Sequence, residues 1–388
     1  MIDKVHNYDD SLPKLNSTFA TKRWSALFMY DQTFSITAKV KDPESDNILC
    51  KVHNGSKMGK RFLNAHIRNV KELINQNKRK FSKPVELPSL LSRDITIEGF
   101  NNWKRNIGLP LVVKGYLKDA PILDLMSVSN FANNFGHKEV KCVKFPDQED
   151  SSYIGQNLTA VTTFLNEFLT SDQYADHYIN NYYGLVDEDI FLNDCKGLAT
   201  NELMGLNHIL SQWFISRPDH RYRTPLHCAG SDNVFLNVIG RKEWHFIDPS
   251  YTAIMQPAMS KYGSYCVSEL QDPLIGDFYE NFTNKYSEMS HVPIYKIVLE
   301  PGDMLYNPAW WWHRVSNLSP LNIGCATRYK DIDILVRNSP TLWAGLMIEI
   351  FKHPRKSLLA IANKSLSDKK NAYELIDSIF SKKVKPTT

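Results

Sequence analysis

Two histidines, a lysine and a threonine are the side chains in this chain whose types and spacing suit chemistry. His227 follows Thr224-Pro-Leu and precedes a polar corner, Ala229-Gly-Ser-Asp-Asn233, which opens an alternating apolar run ending at Gly240-Arg-Lys242. His313 follows Pro301-Gly-Asp-Met-Leu-Tyr-Asn-Pro-Ala-Trp-Trp-Trp312. In a narrow barrel, a histidine at the mouth of one strand and another 86 residues later (313 minus 227) can face each other across the lumen. Two imidazoles brought together from separate strands suit a metal. A lone histidine is more often a hydrogen-bonded core residue, but three tryptophans ahead of His313 offer an apolar wall that would keep water from an open coordination position. Lys242, fifteen residues after His227, can aim a cation into the same lumen, and Thr224 can add a hydroxyl. A cation and a hydroxyl together suit the far end of a dicarboxylate. The plainer reading makes Lys242 an exposed hairpin tip.

Positioning these groups requires many short strands, and the sequence between residues 96 and 335 supplies them. Leu109 to Gly115 reads as a buried strand, Ile122 to Phe135 as a helix, and Val140 to Phe145 as a strand. Val161, Phe164, Leu165 and Phe168 share one face at helical spacing. Val234 to Ile247 reads as two strands turned by Gly240-Arg-Lys. Strands follow at Tyr295 to Leu299 and Met304 to Tyr306, and Asn322 to Tyr329 is expected to pair antiparallel with the segment from Trp310 to Val315. Gly and Pro punctuation between short strands indicates a sandwich or barrel. Residues 1–95 form a polar, basic region of uncertain fold, with an amphipathic helix suggested by Phe62, Ile67, Val70 and Ile74. Residues 336–388 switch to helical spacing and read as packing or dimerisation helices, so a homodimer is expected.

Composition bounds the function. With 43% hydrophobic residues, 19 Phe, 18 Tyr and 8 Trp, the chain has material for a sizeable core and is not globally disordered. Its net charge of +4 is small, but Lys51 to Lys83 holds ten Lys and Arg against one acid, Glu72. Such a segment can meet nucleic acid or an acidic substrate; a solvated face is the commoner outcome, and no aromatic ladder accompanies it. The six cysteines are scattered without a CxxC pair, which fits reduced thiols and an intracellular, cytoplasmic protein. No run of about 18 apolar residues occurs, so no membrane span is expected. The loop-rich stretch from Ser250 to His291 is the expected place for substrate contacts.

Thr224-Pro-Leu-His, Asn233-Val-Phe, Gly240-Arg-Lys and Pro301-Gly-Asp-Met-Leu-Tyr-Asn-Pro-Ala-Trp-Trp-Trp-His together resemble the JmjC and cupin-like (cupin_8-type) non-haem iron oxygenases. The resemblance covers roughly residues 105–330. It implies a mainly β fold, a double-stranded β-helix of the cupin or jelly-roll kind, with flanking helices, Fe(II), and 2-oxoglutarate as cosubstrate. By motif position His227 and His313 would be the metal ligands, Lys242 the partner of the distal carboxylate of 2-oxoglutarate, Thr224 its hydroxyl neighbour, and Asn233 a polar wall residue. Ala326 falls near a place in the final strand where an amide often sits.

One departure stands out. The family's carboxylate ligand comes two residues after the first histidine, where this chain has Ala229. A methyl group cannot coordinate iron. Asp232 is the nearest replacement but also suits a structural role, and strand alternation would point Cys228 away from the face of His227. Three readings follow: an oxygenase hydroxylating a C–H bond of a protein or small molecule with only two protein ligands; a halogenase with halide in the vacated position, as in iron halogenases that carry His-x-Ala or His-x-Gly; and a non-catalytic cupin-like binding protein.

Overall fold

A computed structural model describes residues 1–12, 79–118, 120, 127–144, 160–185, 197–217, 224–252, 254–255, 257–259, 265–268, 270 and 277–331. The basic stretch 51–78 and the expected C-terminal helices lie outside these residues.

Two sheets face each other. One has seven strands in the order β1 (Val85–Glu86), β13 (Ile294–Leu299), β10 (Lys242–Ile247), β15 (Trp312–Asn317), β8 (His227–Ala229), β12 (Tyr265–Ser268) and β11 (Pro257–Met259). The other has nine, in the order β2 (Ser89–Leu91), β3 (Leu111–Lys114), β14 (Met304–Asn307), β9 (Asp232–Ile239), β16 (Asn322–Tyr329), β7 (Leu210–Ser216), β6 (His177–Tyr182), β4 (Glu139–Lys144) and β5 (Ala160–Phe164). The eight strands at the heart of the two sheets alternate between them: β9 leads into β10, β13 into β14 and β15 into β16, each time crossing from one sheet to the other. This alternation makes a double-stranded β-helix with a lumen between the sheets.

The alternation corrects two local expectations. Gly240-Arg-Lys is a crossover between sheets, not a hairpin tip, and Lys242 is buried. Gly240 has φ 78°, and a Cβ there would stand 2.1 Å from the Leu321 carbonyl oxygen, so the corner accepts only glycine. Likewise β16 pairs with β7 and β9, not with β15. A third correction concerns residues 161–168. The β-branched run Val161-Thr-Thr pairs with β4 as a strand, and the helix is confined to Leu165–Thr170, where Leu165, Phe168 and Leu169 are buried.

Strand β9 shows why the sequence folds this way. All eight of its residues are buried: Asn233, Phe235 and Asn237 point into the lumen, while Val234, Leu236 and Val238 meet the layer outside. Across the lumen Phe235 meets Trp244 at 5.1 Å between centroids. Outside, Phe100 of the helix Ile97–Asn102 packs edge-on against Tyr306 at 5.1 Å. Each such buried apolar side chain contributes about 1.5–3 kcal/mol. The Pro301-Gly-Asp turn is held by the Asp303 carboxylate, which accepts from Lys114 Nζ at 2.7 Å and from the Gly115 and Glu300 amides, both at 2.9 Å. A second apolar cluster lies behind the seven-stranded sheet and includes Cys228, Tyr251, Phe278, Phe282, Trp310 and Trp312. No helix among the described residues is long and apolar enough to cross a membrane.

Candidate metal and dicarboxylate site

Strands β8 and β15 run antiparallel with His227 directly opposite His313. Their ring centroids are 4.1 Å apart. In β8 the outer two residues, His227 and Ala229, are partly open to the mouth of the lumen, whereas Cys228 between them is buried on the opposite side.

Each ring is oriented by a carbonyl. Nδ1 of His227 lies 2.7 Å from the Pro225 oxygen, and Nδ1 of His313 lies 2.8 Å from the Trp311 oxygen. A carbonyl only accepts, so the tautomer that satisfies each carbonyl carries its proton on Nδ1 and keeps the Nε2 lone pair; Asn307 Nδ2 also lies 3.3 Å from His313 Nδ1. Burial pushes His227 down to about 4 and His313 well below its ordinary range, His227 adding to the latter effect and Arg328 lowering both by its charge. The pair is therefore neutral near pH 7, the state in which imidazole binds metal.

The rings stacked on the pair come from β10, and of the three tryptophans only Trp311 shares their core cluster. Trp244 stacks on His313 at 5.7 Å and Phe246 lies at 6.0 Å. Trp310 and Trp312 sit in the outer cluster, and Trp312 donates from Nε1 to Thr252 Oγ1 at 2.9 Å. The strand period of two, which turns His313 inward, turns Trp312 outward. Trp310 takes the left-handed conformation at φ 67° and donates its amide to the Ala229 carbonyl at 2.7 Å. This strained corner ties the start of β15 to the back of β8.

Lys242 is 3% exposed and donates from Nζ to Asn317 Oδ1 at 2.7 Å, with Phe235 beneath it at 5.9 Å. Asn317 in turn donates to Ser216 Oγ on the facing sheet at 2.6 Å. Lys242 has no carboxylate partner among the described residues, and burial pulls its pKa down to about 7. Thr224 sits beside β15, its Oγ1 accepting from the Val315 amide at 2.9 Å, which leaves the hydroxyl proton to donate. Asn233 faces the lumen opposite Asn307 and Arg328. The side-chain oxygens of Asn233 and Asn307 are buried and have no partner.

Asp232 points the other way. Its Oδ1 accepts from the Tyr306 hydroxyl at 2.9 Å and from the Ala309 amide at 3.3 Å, on the face of β9 opposite Asn233. It is not brought to the histidine pair, because neighbouring strand residues point to opposite faces. Among the described residues no three His, Cys, Asp or Glu side chains converge on one point.

Asn317, Asn307 and Arg328 were not singled out in the sequence. Arg328 shares the inward face of β16 with Ala326, and its Nε donates to Gln212 Oε1 at 3.1 Å. The available signal was parity: Arg328 stands two residues after Ala326 in a strand already expected.

The residues present fit both groups that the sequence resemblance implied. Two neutral imidazoles offer Nε2 to a metal, and a buried lysine with neighbouring hydroxyl and amide groups suits a carboxylate. The fold and the paired histidines define a cupin-type barrel. Residues 99–332, more than half of the chain, match the model of the Cupin-like domain, and the chain belongs to that family. It is 28% identical over 133 residues to HSPB1-associated protein 1 homolog of Danio rerio (34% of this chain, 28% of the relative). It is 31% identical over 131 residues to JmjC domain-containing protein C of Dictyostelium discoideum (32% and 29%). It is 24% identical over 216 residues to Lysine-specific demethylase 8 of Xenopus tropicalis (54% and 45%). The chain spans less than half the length of each of these relatives.

Proposed function

We propose that this chain is an Fe(II)- and 2-oxoglutarate-dependent oxygenase that hydroxylates a C–H bond of a protein side chain or small molecule, using two histidines and no protein carboxylate as iron ligands. The observation that carries this reading is the opposed, carbonyl-oriented pair His227 and His313 in one lumen with the buried cation of Lys242. His227 and His313 would hold iron through Nε2, and Lys242 with Thr224 would hold the distal carboxylate of 2-oxoglutarate. Bound together, iron and 2-oxoglutarate supply oxidative decarboxylation coupled to C–H oxidation. The protein's own part is positional. The Pro225 and Trp311 carbonyls fix the two rings, Trp244 and Phe246 exclude water from one side, and the Asn307 amide nitrogen stands 3.3 Å from His313 Nδ1. A methyl C–H of lysine falls within the same class of substrate; two of the relatives carry the name lysine-specific demethylase.

The position of Ala229 favours a second reading, halogenation. It lies on the face of His227, partly open to the mouth, and Gly230 and Ser231 beside it are small. Removing an anionic ligand makes room and charge balance for a halide. Anaerobic titration of the protein with Fe(II) and 2-oxoglutarate, followed by the visible charge-transfer absorption of the chelate, separates the readings. A band indifferent to chloride supports oxygenation, and a band that shifts with chloride supports halogenation. Absence of any band, with His227→Ala and His313→Ala behaving as the wild type, would overturn both and leave a binding module.

A further inference from the structure

The ammonium of Lys242 is held on a side-chain bridge between the two sheets. Lys242 and Asn317 stand opposite each other in the β10–β15 ladder, and the amide oxygen of Asn317 accepts from Nζ at 2.7 Å. The amide nitrogen of Asn317 donates to Ser216 Oγ at 2.6 Å, and Ser216 is the last residue of β7 in the facing sheet. All three residues are buried. Turning the Asn317 amide over would set its nitrogen against the ammonium, two donors without an acceptor. The bonds to Ser216 and to Lys242 therefore fix the same orientation.

Phe235 is the second group that faces the ammonium, with its ring centroid 5.9 Å from Nζ. The ring is seated over Gly324 of β16, where a Cβ would stand 2.3 Å from Phe235 Cζ, so only glycine leaves the ring this place. An amide oxygen and an aromatic face both attract a cation, and neither carries a net charge. Asn317 takes one of the three ammonium protons. The direction of the lysine head is thus set by neutral groups, on a four-carbon stem that is flexible when nothing holds its end.

Resting on the oxygenase reading, we propose that Asn317, locked by Ser216, is the positioning residue that aims the Lys242 ammonium without neutralising it, and so makes the site select a 2-oxo acid that carries a second carboxylate. Asn317 touches neither the metal nor the oxidised bond; it acts through Lys242. A carboxylate in its place would keep the shape of the side chain but would itself take the charge-assisted bond that the distal carboxylate of the ligand needs. An apolar residue in its place would leave the stem without an end point. Ser216 belongs to the same device, because the amide of Asn317 is held from the facing sheet.

The test is calorimetric titration of the full chain, without oxygen and with Mn(II), against two acids of equal length: 2-oxoglutarate, and 2-oxopentanoate, which has a methyl group in place of the distal carboxylate. Both carry the same 2-oxo acid end, so the ratio of their affinities reads the distal end alone, and a general loosening of the fold would weaken both. Wild type should prefer 2-oxoglutarate by about a hundredfold. Asn317→Asp should bring the ratio to within about threefold of one and leave the affinity for 2-oxopentanoate unchanged, and Ser216→Ala should lower the ratio about fivefold. An Asn317→Asp protein that keeps the wild-type ratio overturns the proposal and leaves the oxygenase reading standing. If that variant does not fold, Ser216→Ala decides, and an unchanged ratio there overturns the proposal in the same way. A wild type that binds both acids alike, or neither, overturns the dicarboxylate site of the oxygenase reading and the proposal with it.

Discussion

His227 and His313 are cross-strand partners, opposed in the β8–β15 ladder with ring centroids 4.1 Å apart, and each presents Nε2 to the lumen because its Nδ1 proton is held by a carbonyl two residues earlier. The relationship depends on backbone pairing and not on a flexible loop, so the two rings approach in a fixed geometry whether or not a metal is bound.

Removing either ring should remove the metal and spare the fold. Loss of groups that merely orient a ligand costs about 10–100-fold in metal affinity, so His227→Ala and His313→Ala should each lose at least about a hundredfold in Co(II) affinity, read by d–d absorption. Circular dichroism should be unchanged. Full Co(II) affinity in either variant would exclude the pair as the metal site.

Restoring the missing acid is the complementary change. Ala229 lies on the same face of β8 as His227 and is partly open to the mouth, so a carboxylate there reaches the side on which the imidazoles converge. Ala229→Asp should raise Co(II) affinity about tenfold or more, as an anionic ligand joins two neutral ones, and abolish any response to chloride. A variant that folds and binds metal no better than wild type would mean that Ala229 is not beside the metal.

Lys242 gives a dependence on pH that can be read without activity. Burial lowers its folded pKa from 10.5 to about 7, so the unfolded chain binds more protons between those values and stability rises with pH across that window. The penalty is full below about pH 7 and gone above about 10.5. In urea melts, Lys242→Met should be more stable than wild type at pH 7, with the gap closing toward pH 10, and saturating 2-oxoglutarate should narrow the gap at pH 7. Equal stability at pH 7 and pH 10 would show that the amine is not buried in this way.

Much of the site was legible because strand alternation is local. His227, Asn233 and His313 fall in strands that the short-range pattern indicates, whereas the turn before Lys242 proved to be a crossover between sheets. What was not legible depends on register between distant strands. Arg328 and Asn317 enter the lumen only because β16 pairs with β9 and β15 with β10, and the sequence around each gives no sign of those partners. Two of the three tryptophans, Trp310 and Trp312, misled for a different reason. Their closeness in sequence to His313 suggested a shared wall, but period two separates Trp312 from His313, and the left-handed corner at Trp310 turns the chain before β15 begins. The run at Val161 was read at helical spacing, yet pairing with β4 outweighs the period of its apolar residues.

Asp232 provides a control. Burial raises its carboxyl to about 7, and it accepts from Tyr306 and Ala309 on the face away from the histidines. A raised folded pKa means that stability from this group is greatest in acid and is lost as pH climbs from about 4 through 7. Asp232→Asn should therefore flatten that part of the stability profile in urea melts and leave Co(II) affinity within about twofold of wild type, since ligand removal would cost far more. A fall of a hundredfold would place Asp232 at the metal after all.

The most direct test of the central claim is succinate formation from 2-oxoglutarate by the full chain with Fe(II) and oxygen, measured beside His227→Ala and Lys242→Met. The oxygenase account predicts uncoupled turnover in the wild type even without the primary substrate, none above background in His227→Ala, and a sharply raised 2-oxoglutarate requirement in Lys242→Met. Succinate at background in the wild type, under conditions where iron and 2-oxoglutarate are both shown to be bound, would contradict it.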